Sequence, residues 1–145
     1  AVRKRNPEVK FAINFMYESV LNPPSALAWF SQDLSKAVES GFDYYSIMAY
    51  HRQMGDELGK DPREIAVIIG EMVDEAVDIV GDPSKVLIKL QTIDWQTGKE
   101  LPSGEVVRLI RRVRGKAPVS VALVPYRSSF PLKTLNLKAG SDTFR

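Results

Sequence analysis

The chain has 145 residues, 44% of them hydrophobic and 26% charged, with a formal charge of +2; this is one domain's worth of ordinary globular sequence, or part of a larger domain. The near-neutral balance gives no electrostatic reason to expect nucleic acid. Zero cysteines exclude disulfides, thiolate catalysis and cysteine-based zinc sites, and no apolar run approaches the roughly 20 residues that cross a bilayer.

The chain opens at Ala1 with no methionine and no visible signal peptide, as expected of a processed or excised piece of something longer. The first strand is expected at Lys10 to Met16 ("KFAINFM"). A helical pattern from about Ser25 to Ser40 follows, with Leu27, Phe30, Leu34, Ala37 and Val38 on one stripe, Pro23 and Pro24 before it and Gly41 after it. "YYSIMA", Tyr44 to Ala49, is the second strand. His51 is expected in the loop that follows, and "MGDELGKD" precedes the next helix. That helix has the clearest start in the chain: Asp61 as cap, Pro62 at the first helical position and Glu64 closing a capping box. Its apolar face runs through Ile65, Ile68, Ile69, Met72, Val73, Ala76 and Val80 to Gly81. "VLIKL", Val86 to Leu90, is the third strand. A third helix opens at Ser103, buries Val106, Leu109, Ile110 and Val113, and stops before Gly115. "SVALV", Ser120 to Val124, is the fourth strand. The stretch 128–145 reads as an irregular tail in which "FPLKTLNL" adds at most one turn or an edge segment.

The order β-α-β-α-β-α-β, with strands this continuously apolar, predicts an α/β fold whose parallel sheet is covered by helices. Two architectures satisfy it: an open doubly wound sheet, or half of a (β/α)8 barrel of the TIM type. No glycine-rich strand-to-helix turn of the nucleotide-binding kind is present.

In both architectures ligands meet the carboxyl ends of the strands. Those ends read Tyr17-Glu18, Tyr50-His51-Arg52, Gln91 through Asp94-Trp95, and Tyr126-Arg127. Each sets an aromatic ring beside a charged or hydrogen-bonding group. Sugars present flat C–H faces to such rings and hydroxyls to such polar groups. Asp94 and Glu18 are therefore the candidate catalytic carboxylates, and Trp95, Gln91, Tyr17, Tyr50, Tyr126, His51 and Arg127 the candidate substrate contacts. Each also has a structural alternative. Trp95 can anchor its loop, Asp94 can cap it, and Glu18 can face solvent. His51, the one histidine, cannot build a metal site without carboxylates, and neither metal nor cofactor is expected. Trp29 belongs to a helix and is expected to pack. The arginines of "RLIRRVRG" lie opposite the apolar stripe and read as a solvated helix face; nucleic acid or an anionic polymer is the lesser reading.

Taken together, "NFMYESVLNPPSALAWFSQDLSKAVESGFDYYSIMAY", "LQTIDW" and "VALVPY" resemble the C-terminal domain of the PgaB family, two-domain bacterial poly-β-1,6-N-acetylglucosamine deacetylases. The resemblance covers most of Asn14 to Pro131. It implies the C-terminal half of a (β/α)8 barrel that binds, and in relatives hydrolyses, partly deacetylated β-1,6-glucosamine polymer. It further implies a periplasmic or exported protein, a deacetylase domain upstream, and a main catalytic acid on an earlier strand outside this chain. Gln91, Asp94 and Trp95 match the polymer groove best, while Trp29 and Gln32 match a pattern whose role is structural. "MAYH" and "PYRS" depart from the family's Met-Ala-Met-Pro and Pro-Asp, so a less acidic groove is expected. A non-catalytic polysaccharide-binding domain is the competing function, and an unrelated open-sheet domain a third. A half-barrel is also expected to associate through its unpaired sheet edges, as a homodimer for example.

Overall fold

A computed structural model of the chain describes residues 2–126; Arg127 and the tail beyond it lie outside the described residues. The elements in order are α1 (Val2–Arg5), β1 (Ala12–Met16), α2 (Glu18–Leu21), α3 (Pro23–Phe30), α4 (Leu34–Glu39), β2 (Tyr44–Met48), α5 (His51–Leu58), α6 (Pro62–Val80), a 3-10 turn (Pro83–Lys85), β3 (Val86–Gln91), α7 (Ser103–Lys116) and β4 (Ser120–Val124).

All four strands are parallel and lie in chain order, β1-β2-β3-β4. A doubly wound sheet would reverse direction at a switch point. This one never does, and successive right-handed crossovers then keep the helices on one face. The result is an arc of four consecutive strands of a TIM-type barrel. Among the described residues β1 and β4 each have one unpaired edge.

Register separates the two faces of the sheet. Phe15, Ile47, Ile88 and Val121 form one row and Ile13, Tyr45 and Val86 the next, on the face covered by helices. Phe15, Tyr45, Ile47, Val86 and Ile88 are buried there. The opposite face is the concave one of a barrel and is more polar. Its rows are Asn14, Ser46, Leu87 and Ser120, then Met16, Met48, Lys89 and Ala122. Lys89 Nζ donates to Asn14 Oδ1 at 2.6 Å, reaching across β2, where the Ser46 hydroxyl has no partner among the described residues.

The long helix α6 organises the outer layer. The capping box forms as its sequence dictates: Asp61 Oδ1 accepts from the Arg63 and Glu64 amides, and Glu64 Oε2 accepts from the Asp61 amide. Gly81, left-handed at φ 75°, ends the helix. Ile65, Ile69, Met72, Val73 and Ala76 are fully buried against β3 and against α4, α5 and α7. Each of the four larger side chains contributes about 1.5–3 kcal/mol relative to its exposed state, and Ala76 less.

Three local expectations are corrected. The helix expected over Ser25 to Ser40 is two helices, because Ser31 takes the left-handed conformation (φ 54°) and Asp33 starts α4 by accepting from the Lys36 amide. The turn between them places Gln32, whose Oε1 accepts from the Met16 amide and the Ser19 hydroxyl. His51 and "MGDEL" are helical (α5), not loop. Finally, α7 runs through Gly115 to Lys116.

Candidate functional site at the strand ends

The four strand tips share one end of the sheet, and side chains from three of them interlock. After β1, the Tyr17 hydroxyl donates to Glu57 Oε2 of α5 at 2.7 Å. Gln53 Nε2 holds the other Glu57 oxygen at 2.7 Å. After β3 the chain makes a small hairpin in which Ile93 bridges Glu100. Asp94 Oδ1 accepts from the Gln96 and Thr97 amides at its tip, and Gly98 supplies the positive φ of 68° that closes the turn. That turn presents Trp95, 42% exposed, and sets its ring edge-to-face on Tyr50 at 5.6 Å. Gln96 Nε2 reaches Asp56 Oδ2 at 2.8 Å and ties the hairpin to α5. Between the hairpin and α5 lies a shallow depression of about 150 Å³ lined by Arg52, Gln53, Asp56, Glu57, Asp94 and Trp95.

Electrostatics divides the carboxylates into two kinds. Burial, followed by the Glu57 charge, raises the Glu18 pKa, and Glu18 Oε2 is buried with no hydrogen-bond partner among the described residues. Such a group holds its proton more tightly than an ordinary carboxyl does. Asp94 is the opposite case. The Thr97 amide and then the Gln96 amide lower its pKa, with Arg52 adding to the effect, so it stays ionised. Tyr17 is raised by its burial first and then by its bond to Glu57; its phenol remains a donor to that carboxylate.

Several candidate residues serve the frame, not the surface. Gln91 is 0% exposed. Its Oε1 accepts from the Arg52 amide at 2.8 Å and the Gln53 amide at 3.3 Å, capping α5, while Nε2 donates to the Ile93 carbonyl at 2.8 Å. Its amide is thus committed at both ends to the frame, although Gln91 also lies at the base of the depression. His51 is 5% exposed and turns away from the depression towards α7, where Nε2 meets Glu105 Oε1 at 2.8 Å. Burial holds its pKa below the ordinary value, so the neutral ring donates from Nε2 and Nδ1 remains unpartnered among the described residues. Glu105 also accepts from Arg52 Nε and Nη2, at 2.8 and 2.6 Å. Burial alone would raise its pKa, but the hydrogen bonds from Arg52 and His51 bring it down. Tyr17, 5% exposed, supports Glu57 from below. Tyr126 stands 70% exposed at the tip of β4. Trp29, expected to pack, is 80% exposed.

α5 brings Asp56 and Glu57 beside Glu18 and Asp94 at the groove. Neither was a candidate from sequence, because "MGDELGKD" carries no signal that it folds back over the strand ends. Among the described residues no group of His, Cys, Asp or Glu is arranged to hold a metal ion. Among the described residues no helix is long and apolar enough to cross a membrane. A larger cavity lies elsewhere, behind the Arg52–Glu105 pair, between α6 and α7.

Residues 1–122 match the model of the family described as "Hypothetical glycosyl hydrolase family 13", GHL13. The chain belongs to that family. The family places it among carbohydrate-active domains. The chain is also similar in structure to the glycoside hydrolase domain of PgaB (BpsB) from Bordetella bronchiseptica, with a TM-score of 0.70 and 21% identity over 88% of this chain. At that identity the likeness establishes the fold. The chain spans 33% of that solved chain's length. No curated protein matches.

Proposed function

We propose that the strand-end groove binds a bacterial exopolysaccharide of the partly deacetylated poly-β-1,6-N-acetylglucosamine type. The observation that carries this reading is the Tyr50–Trp95 aromatic corner set among the Asp56, Glu57 and Asp94 carboxylates. An exposed indole offers a sugar ring a stacking face. The surrounding acids suit a polymer in which free amines carry positive charge, and Arg52 is neutralised by Glu105. If the polymer is cleaved, Glu18 is the proton donor of this chain. The ionised second carboxylate that glycoside hydrolysis requires then comes from Asp94 or from barrel strands supplied upstream. The reading carries with it a periplasmic or exported setting and an upstream deacetylase domain, both resting on the PgaB resemblance.

A binding role without turnover is favoured by one specific observation: Asp94 Oδ1 is already engaged by two amides. The test uses a Trp29→Phe background, which leaves Trp95 as the one tryptophan. Titration with glucosamine oligomers is expected to shift Trp95 emission, with fully N-acetylated oligomers weaker, and Trp95→Ala is expected to abolish binding. Chromatography of the oligomers then separates the two roles by whether the chains shorten. No response of Trp95 to any β-linked glycan would end the proposal.

A further inference from the structure

We propose that the cleft between α6 and α7 is a docking site for an acidic, aliphatic peptide segment of a partner protein. The cleft is open, about 870 Å³ in volume, and separated from the groove by His51 and Glu105. Arg63 stands on the α6 wall, and Arg108 and Arg112 on the α7 wall. Among the described residues none of the three guanidinium groups makes an ion pair. The two carboxylates lining the same space are both engaged, Asp61 by the α6 amides and Glu105 by Arg52 and His51. Glu105 is neutralised by Arg52, and Asp61 keeps its charge and acts on Arg63, so Arg108 and Arg112 are the two positive charges that face the cleft without a carboxylate.

Arg112 is set against α6 by a specific feature of the sequence. A Cβ on Gly70 would come within 2.8 Å of Arg112 Nε, so this glycine lets the guanidinium lie directly on the neighbouring helix. Arg108 and Arg112 are one helical step of four residues apart, about 6 Å along the axis. In an extended peptide, alternate side chains repeat at about 6.6 Å on one side. Carboxylates at alternate positions thus match the two arginines and form charge-assisted hydrogen bonds with them.

The remaining lining selects the class of ligand. Ala66, Val67 and Leu109 supply an aliphatic floor, and Val67 is 46% exposed. Among the described residues no aromatic ring other than the His51 imidazole lines the cleft, so these residues offer no stacking platform of the kind a glycan or a single-stranded nucleic acid uses. The cationic polymer proposed for the groove is repelled by Arg108 and Arg112. Aliphatic residues between acidic ones satisfy both parts of the lining.

The test is fluorescence anisotropy with a labelled peptide alternating Glu with Leu and Val, with inorganic phosphate and a polyuronate chain as competitors. Saturable binding that weakens as salt rises is expected. Arg108→Glu and Arg112→Glu are each expected to lower affinity about tenfold or more. Should these variants fail to fold by circular dichroism, Val67→Asp, at a half-exposed position, is expected to give a comparable loss. Glucosamine oligomers are expected to leave peptide binding unchanged, which keeps this site distinct from the groove. No saturable binding by the native chain, or binding retained in the folded variants, overturns the proposal. Displacement of the peptide by phosphate or polyuronate at equal charge concentration also overturns it, because the cleft would then be a general anion site.

Discussion

Gln91→Leu tests the most specific structural claim, that a buried side chain on β3 holds α5 over the groove. The native amide makes three internal hydrogen bonds, accepting from Arg52 and Gln53 and donating to the Ile93 carbonyl. Leucine has similar bulk and no polar atom, so it strands the two amides and the carbonyl. Each buried polar group left unpaired costs about 1–3 kcal/mol. The loss of a helix cap costs about 1 kcal/mol by itself. Burial of the leucine returns part of this, leaving a net loss of about 3–4 kcal/mol. With a urea m-value of about 2 kcal/mol/M, the midpoint falls by about 1.5–2 M. Hydrogen exchange at the Arg52 and Gln53 amides is expected to accelerate, and the Trp95 response to glucosamine oligomers to weaken as Asp56 and Glu57 lose their support. Gln91→Glu keeps the acceptor but not the donor to Ile93, and is expected to be intermediate. A Gln91→Leu protein with native midpoint and native exchange at those amides would refute the reasoning.

Two further predictions concern pH. Burial raises the Glu18 pKa above its ordinary value of about 4.5, so the folded state holds this proton more tightly than the unfolded state does. Stability is then undiminished below that value and falls as pH rises from it to the raised one; Glu18→Gln is expected to be more stable than the native chain at pH 7, with the difference vanishing in acid, as followed by urea midpoints. For His51 the folded pKa lies below the ordinary 6.5. Stability is therefore lost as pH falls through 6.5 towards the depressed value, and His51→Gln, which keeps a donor for Glu105, is expected to flatten that loss in the same assay.

Where a physical signal is local, the sequence and the structure agree. The α6 cap needs only Asp61, Pro62 and Glu64, all within one turn, and it forms as expected. The four strands are apolar runs between turn residues, and their observed limits lie within two residues of the expected ones. The choice between an open sheet and a barrel arc was not local, because it depends on which strands pair, and identical βα units build both. Aromatic and acidic residues at the strand ends were visible as a pattern, but their assignments were not. Tyr17, Gln91 and His51 look alike as polar residues at strand tips, yet burial turns all three inward. Glu18 and Asp94 look alike as carboxylates, yet the surroundings move their proton affinities in opposite directions.

Sequence alone thus determined the βα alternation, the helix caps and the class of residue gathered at one end of the sheet, since propensity, capping and periodicity act over a few neighbours. Tertiary structure alone decided which of those residues face a ligand. The cap of α5 comes from Gln91, 39 positions beyond Arg52, and the Tyr17–Glu57 bond spans 40. Contacts at that separation exist only once the strands have paired, and they recruit Asp56 and Glu57 to the groove while committing Gln91 to the frame and turning His51 away.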